Sequence, residues 1–298
     1  MKMEQVSFLE WQERYGNEAA CIDALRRIRW PEGFQCPKCG HHAASLVSTR
    51  RLHQCSQCSH QVSATAGTLF HSTKLPRVKW FWAIYLIGAD KGGISALRLA
   101  KFLGVSWLTA HRMLRKIRAA MGDRDRDYKL TDFIELDDAY VGGKHSGGKR
   151  GRGTEGKRAV LLAVERRGKG AGFMSAQVLD SISKKTVTRF VDECIHSGQT
   201  VRTDAYRSMN VIAKTQFHES RVTPGKEAGK WLPWVHIVIG NLKTFLNGTF
   251  HGVSGGYLQE YLDEFCYRFN RRFRERELPF RLLNACLIHK PLPITDFR

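Results

Sequence analysis

Four cysteines constrain this chain more tightly than any other residues. Cys36-Pro-Lys-Cys39 and Cys55-Ser-Gln-Cys58 are two Cys-x-x-Cys knuckles separated by fifteen residues. Two knuckles at this interval bring four sulfurs around one tetrahedral zinc ion. The segment between them has little apolar content, so a small strand-rich fold there needs such a staple. Two disulfides are the competing reading, which a reducing compartment disfavours. His41, His42, His53 and His60 lie near enough to compete as ligands, yet four thiolates complete the site without them. Cys21, Cys194, Cys266 and Cys286 stand singly in apolar or mixed surroundings and read as ordinary reduced thiols.

Charge narrows the class of partner. The 298 residues carry a formal charge of +20, which favours a polyanion and predicts salt-dependent binding. The start MKMEQVSFLEWQERYG lacks an apolar core of the signal-peptide kind, and the longest apolar run, Trp80 to Ala89, is too short to span a bilayer. The expectation is a cytoplasmic protein of the nucleoid with no membrane partner. At 42% hydrophobic residues the chain can bury one large core beside one or two small modules.

Periodicity divides the chain. Residues 1–30 read as a helical cap with Phe8, Trp11, Ile22, Leu25, Ile28 and Trp30 inward, and residues 31–72 as the zinc ribbon, which carries Lys38, Arg50 and Arg51. Residues 73–122 read as helices. The stretch ISALRLAKFLGVSWLTAHRMLRKIRAAMG has the form helix, tight turn at Gly104, and second helix capped by Ser106. That helix-turn-helix offers Thr109, His111, Arg112, Arg115, Lys116 and Arg118 to DNA, or else a solvated basic face. The run Asp123 to Asp127 reads as a charged break opening a linker over 123–132.

Residues 133–278 read as a mixed sheet with helices. The apolar run Phe133, Ile134, Leu136 delivers Asp137 and Asp138 to a strand end followed by Gly142 and Gly143. Thr200, Val201 and Thr203 make a second short strand ending in Asp204. Two strand-end aspartates in a basic chain suit divalent metal and phosphate chemistry. Between them lie a basic glycine-rich tract (Gly142 to Arg158), read as a solvated loop or as one that folds against DNA near the metal site, the strands Ala159–Val164 and Phe173–Val178, and a helix over Ser183–Ile195. From Leu232 to Ser254 there is no carboxylate, but Asn241 stands two residues before Lys243. Farther on, Tyr261, Leu262, Phe265, Phe269 and Phe273 predict the inner face of a helix whose Arg268, Arg271, Arg272, Arg274 and Arg276 face outward toward a DNA backbone. Residues 279–298 read as a tail.

The strings ELDDAYVGGK, TDAY, WVHIVIGNLKTFLNGTFHGVS and YLDEFCYRFNRR resemble the bacterial ISXO-like insertion-sequence transposases, which join a zinc ribbon to a D-D-E or D-D-N core. The resemblance runs from about Phe34 to Asn270. It implies an RNase H-like fold and a DNA transposase that cuts at element ends and transfers a 3′-hydroxyl strand into target DNA. It further implies Asp137, Asp204 and Asn241 as the catalytic set holding Mg2+ or Mn2+, Lys243 as a phosphate ligand, terminal inverted repeats as the bound DNA, and a dimer or higher oligomer. An asparagine brings no negative charge and should hold the second metal weakly. Asp263 or Glu264 is the alternative third carboxylate, and Asp138 an assistant to the first. A catalytically inactive DNA-binding regulator and a hydrolytic RNase H-like nuclease are the rival functions.

Overall fold

The structure, a computed structural model, describes residues 5–142, 157–224 and 227–291. It divides into two compact units, Met1–Ala120 with Arg274–Arg298, and Met121–Phe273.

The first unit opens with α1 (Phe8–Tyr15) and α2 (Glu18–Arg29). Ser7 and Glu10 close a reciprocal capping box on α1, and Asn17 caps α2 by accepting from the Ala20 N–H at 2.9 Å. Trp11 is fully buried among Tyr15, Phe81, Tyr85 and Phe280, whereas Phe8, expected inward, is half exposed. The ribbon follows as an antiparallel meander of β1 (Ala44–Val47), β2 (Leu52–Cys55) and β3 (Gln61–Val62). All eight cysteines are free thiols, and the four knuckle sulfurs lie within 4.8 Å of one another. The Cys36–Cys58 and Cys39–Cys55 sulfurs are each 3.6 Å apart. Tetrahedral zinc with Zn–S bonds of about 2.3 Å sets its sulfurs about 3.8 Å apart, so the thiols fit the ion. Backbone N–H groups of Cys58 and Gln57 aim at the Cys55 sulfur and hold its pKa below the ordinary thiol value, which favours the thiolate a metal needs. The Arg29 guanidinium ties the ribbon to α2 by donating to the carbonyls of Ser63, Ala64 and Ala66.

Three helices come next: α3 (Arg77–Ala89), α4 (Ala96–Leu103) and α5 (Trp107–Arg126). Ser95 and Ser106 cap the last two, and Gly104 ends α4 in the left-handed region at φ 56°, so a tight turn separates α4 from α5. Two details differ. Arg118 is buried, which removes it from the outward basic face. The acidic and basic residues from Asp123 onward extend α5 to Arg126 instead of breaking it, with Arg126 and Asp123 paired one turn apart.

The second unit is built on a five-stranded sheet. Its strands are β4 (Phe133–Val141), β5 (Arg158–Arg167), β6 (Gly170–Leu179), β7 (Thr200–Asp204) and β8 (Phe217–Arg221), in the order β6-β5-β4-β7-β8. The hairpin strands β4, β5 and β6 are antiparallel, while β4, β7 and β8 run parallel. The crossover from β6 to β7 contains α6 (Lys184–Cys194), capped by Ser183. This order, with the second strand reversed, is the RNase H-like arrangement. After β8 come α7 (Ala228–Trp231), α8 (Pro233–Phe250) and α9 (Leu258–Asn270). Strand alternation sends Ala139, Val160, Leu162 and Val164 to one face against α8 and α9, and Ile134, Leu136, Leu161 and Ala163 to the other against α6.

The outer edge of β6 is closed by side chains of α9 and the residues after it. Asn270 accepts from Met174 N–H and donates to its carbonyl, Gln259 does the same between Val178 and Ala176, and Arg272 donates to the carbonyls of Ala171 and Gly172. These bonds satisfy backbone groups that an open edge would leave to another strand. They also revise the expected basic outer face. Arg272 is spent on carbonyls, Arg268 is buried against Glu264 at 2.9 Å, and Arg271 binds Asp125 at 2.6 Å. Phe273, expected inward, lies beyond the helix and is 87% exposed.

The last described helix, α10 (Leu278–Ile288), belongs to the first unit. It packs on α3 so closely that a Cβ at Gly88 would lie 2.9 Å from the Pro279 nitrogen. The stretch expected as a tail from residue 279 thus packs as α10, its Leu282, Leu283 and Cys286 fully buried and Ile288 exposed at its end.

Zinc should be part of the ribbon's stability. One zinc per chain is expected by metal analysis of the purified protein, and Cys39→Ser should lower that content and unfold residues 31–62 while the core still melts as a unit. Structural zinc is worth on the order of 10 kcal/mol to small ribbons, so amide exchange across β1–β3 should lose its protection on chelation.

Candidate active site

The sheet brings the two aspartates level, although only Asp204 ends its strand: the expected strand end at Asp137 is corrected by β4, which runs on to Val141 in continuous pairing with β5. β4 and β7 pair in parallel with Phe133 opposite Thr200 and Glu135 opposite Arg202. Continuing that register two residues sets Asp137 beside Asp204, pointing to the same face, on strands that lie about 4.8 Å apart where they pair. Pairing ends at Glu135 and Arg202, so the carboxylates stand where the strands part. Local bonds fix both. Asp137 accepts from the Asp138 N–H at 2.8 Å, and Asp204 accepts from the Tyr206 N–H at 3.1 Å, an Asx turn that ends β7.

A cavity of about 920 Å³ opens in front of them. Its lining includes Asp137, Asp138, Asp204, Tyr140, Tyr206, Lys157, His236 and Lys243. The positive members come from the start of β5 and from α8. Along α8, His236, Gly240 and Lys243 follow at intervals of four and three residues and so share one side of the helix. The His236 Nε2 lies 3.1 Å from an Asp137 carboxylate oxygen. That hydrogen bond, with the negative charges of Asp137, Glu135 and Asp204, raises the His236 pKa above the ordinary histidine value against the opposing effect of burial.

Asn241 is not brought to this cavity. Pro233 occupies the first turn and starts α8 well before residue 241, so Asn241 sits mid-helix, exposed, on a different side from His236 and Lys243. The expected opening of a helix at Asn241 is corrected by that proline. The downstream carboxylates are also elsewhere. Asp263 lines a separate cavity of about 430 Å³ with Gln259 and Cys266, where burial pushes its pKa up to about 6. Glu264 is fully buried against Arg268. Asp138 does line the main cavity, on the alternate side of the strand from Asp137.

His236 is the residue that a search for carboxylates passes over. Its signal is the spacing: it precedes Lys243 by seven residues, two helical turns, in a helix started by Leu-Pro. Two carboxylates and an imidazole offer oxygen and nitrogen donors suited to a divalent cation. His236 meets Asp137, but the three do not close into one group; among the described residues the ribbon cysteines alone group three or more His, Cys, Asp or Glu ligand atoms within 4.8 Å. Of the glycine-rich tract only Gly142, Lys157 and Arg158 are described, and its expected fold against DNA lies outside the described residues. Of the α5 cations expected to face DNA, Arg112 is exposed, Arg115 half-buried, and Lys116 half-buried with its pKa lowered by burial. Among the described residues no helix is long and apolar enough to cross a membrane.

Comparison with known proteins bears on both parts. Among solved structures, the chain is similar to "Crystal structure of the Mos1 Strand Transfer Complex", with 12% identity, a TM-score of 0.29, and coverage of 75% of this chain and 81% of that one. It is likewise similar to "Crystal structure of a pre-cleavage Mos1 transpososome", with 12% identity, a TM-score of 0.27 and coverage of 75% and 82%. A comparison with curated proteins gave no match. Residues 16–61 match the transposase zinc-ribbon domain, and residues 129–270, which contain both aspartates, His236 and Lys243, match the ISXO2-like transposase domain. Together these matches give the chain a transposase zinc-ribbon domain followed by an ISXO2-like transposase domain.

Proposed function

We propose that this transposase cuts the phosphodiester at the ends of its element and joins the freed 3′-hydroxyl to target DNA, with Asp137, Asp204 and His236 as the metal-binding set. The observation that carries the reading is the cavity in which the two level carboxylates, His236 and the two lysines converge. Asp137 and Asp204 hold Mg2+ or Mn2+ through oxygen ligands, and His236 offers a neutral nitrogen once its proton is lost. Two such ions supply Lewis acidity at the attacking and leaving oxygens of an in-line displacement. Lys243 and Lys157 bring positive charge to the phosphate on the same wall. The helix-turn-helix, with Arg112, Arg115 and Lys116, and the ribbon bind the terminal repeats, and joining two ends to one target calls for at least a dimer.

Strand transfer of labelled element-end DNA by the purified protein tests this. Asp137→Asn, Asp204→Asn and His236→Ala should each lower joined product on the order of a hundredfold or more, because metal-assisted charge stabilisation is worth several kcal/mol and about 1.4 kcal/mol is tenfold in rate. Asn241→Ala should leave the rate near wild type. Activity that survives His236→Ala and dies with Asn241→Ala would return the third position to the asparagine. End binding without any cutting or joining would favour a DNA-binding regulator, and cutting without joining a nuclease.

The histidine also sets a pH dependence. A protonated imidazole cannot ligate and repels a cation, so metal affinity should rise as pH climbs through the raised His236 pKa. Mn2+ affinity measured by calorimetry should be tighter at about pH 8 than at about pH 6, a range that spans the ordinary histidine value of about 6.5. In His236→Ala that difference should shrink; an unchanged difference would contradict the assignment.

A further inference from the structure

The strand that carries Asp137 reaches α8 a second time. Glu135 lies two residues before Asp137 on β4, so both side chains point to the face that α8 covers. The Glu135 carboxylate is fully buried, and its Oε2 accepts from the N–H groups of Trp234 and Val235 at 2.7 and 3.0 Å. These are donors of the first turn of α8, which its own cap residue, Leu232, leaves without a side-chain bond. The other oxygen, Oε1, is buried without a hydrogen-bond partner. A buried acid with one unsatisfied oxygen costs stability that a well-packed apolar residue would not. What it provides is a two-point attachment: Glu135 grips the backbone at positions 234 and 235, and Asp137 meets the side chain of the next residue, His236, at 3.1 Å.

We infer that Glu135 is a positioning residue, which holds the first turn of α8 in register with β4 so that His236 faces Asp137 and Lys243, two turns on, faces the phosphate. The inference rests on the metal-site reading given above. The feature required of residue 135 is an acceptor oxygen at the reach of a glutamate side chain, and its charge is secondary. With the acceptor gone, the helix start loses the bonds that fix its rotation, and the imidazole moves off the carboxylates while the fold persists.

Calorimetric titration of Mn2+ into the full-length, zinc-loaded protein, without DNA, tests this in Glu135→Gln, Glu135→Asp, Glu135→Leu and Asp137→Ala. Glutamine keeps the reach and loses the charge, and aspartate does the reverse. The expected order of affinity is wild type close to Glu135→Gln, with Glu135→Asp and Glu135→Leu weaker by about 10- to 100-fold, the usual effect of removing a group that orients metal ligands. Amide exchange at Trp234 and Val235 should quicken in the same two variants and not in Glu135→Gln. If Glu135→Leu does not fold, the order of glutamine over aspartate still decides. Aspartate equal to or better than glutamine, or all three variants binding like wild type, would overturn the positioning role. Asp137→Ala separates the two claims: if it binds Mn2+ as wild type does, the metal site itself is misassigned, whereas its loss beside intact Glu135 variants removes the positioning role alone.

Discussion

Two carboxylates held level on adjacent parallel strands repel each other, and much of the second unit can be understood as an answer to that repulsion. Asp137 and Asp204 come to the same height because β4 and β7 pair in register from Phe133 and Thr200 onward. Such a pair needs positive charge close by, and α8 offers it from one side with His236 and Lys243 while Lys157 offers it from the hairpin. The divalent cation proposed for this site would supply that counter-charge and attract a phosphate. The rest of the unit keeps those partners in place. Apolar side chains from β5 seat α8 on the sheet, and the amides of Asn270 and Gln259 seal the edge that would otherwise remain open.

Charge balance also governs the arginines. A chain of +20 has basic residues to spare, yet Arg268 of α9 and Arg271 and Arg272 just after it are committed to internal partners. Arg268 and Arg271 neutralise Glu264 and Asp125, and Arg272 bonds backbone carbonyls. Buried acids of this kind require paired cations, and removal of either partner leaves an uncompensated charge. Lys243, by contrast, lines the cavity in front of Asp137 and Asp204.

The sequence disclosed the parts whose cause is local. The knuckle spacing foretold the sulfur cluster, Ser106 and Ser183 marked the starts of helices they do cap, and Asp204 falls at the end of a real strand, whereas β4 runs past Asp137 to Val141. Parts that depend on which side of a helix meets the sheet were harder to read. Asn241 and Lys243 are two residues apart and cannot share a helix side, whereas His236 and Lys243 can, but that follows only once Pro233 is known to begin the helix. The charge pattern of YRFNRR reads as an outward basic face suited to DNA because the acids that consume it, Asp125 and Glu264, are distant in sequence or hidden on the inner turn. Likewise β8 carries no alternation to betray it, being an edge strand with exposed Phe217, Glu219, Ser220 and Arg221.

The account stands on one assignment: that Asp137, Asp204 and His236 together form the metal-binding set. Anomalous diffraction from crystals grown with Mn2+ locates the ion directly. The account predicts a peak between the Asp137 and Asp204 carboxylates, on the side where His236 and Lys243 project from α8. A peak bound by Asn241, or by Asp263 in the second cavity with none at the paired aspartates, would contradict it.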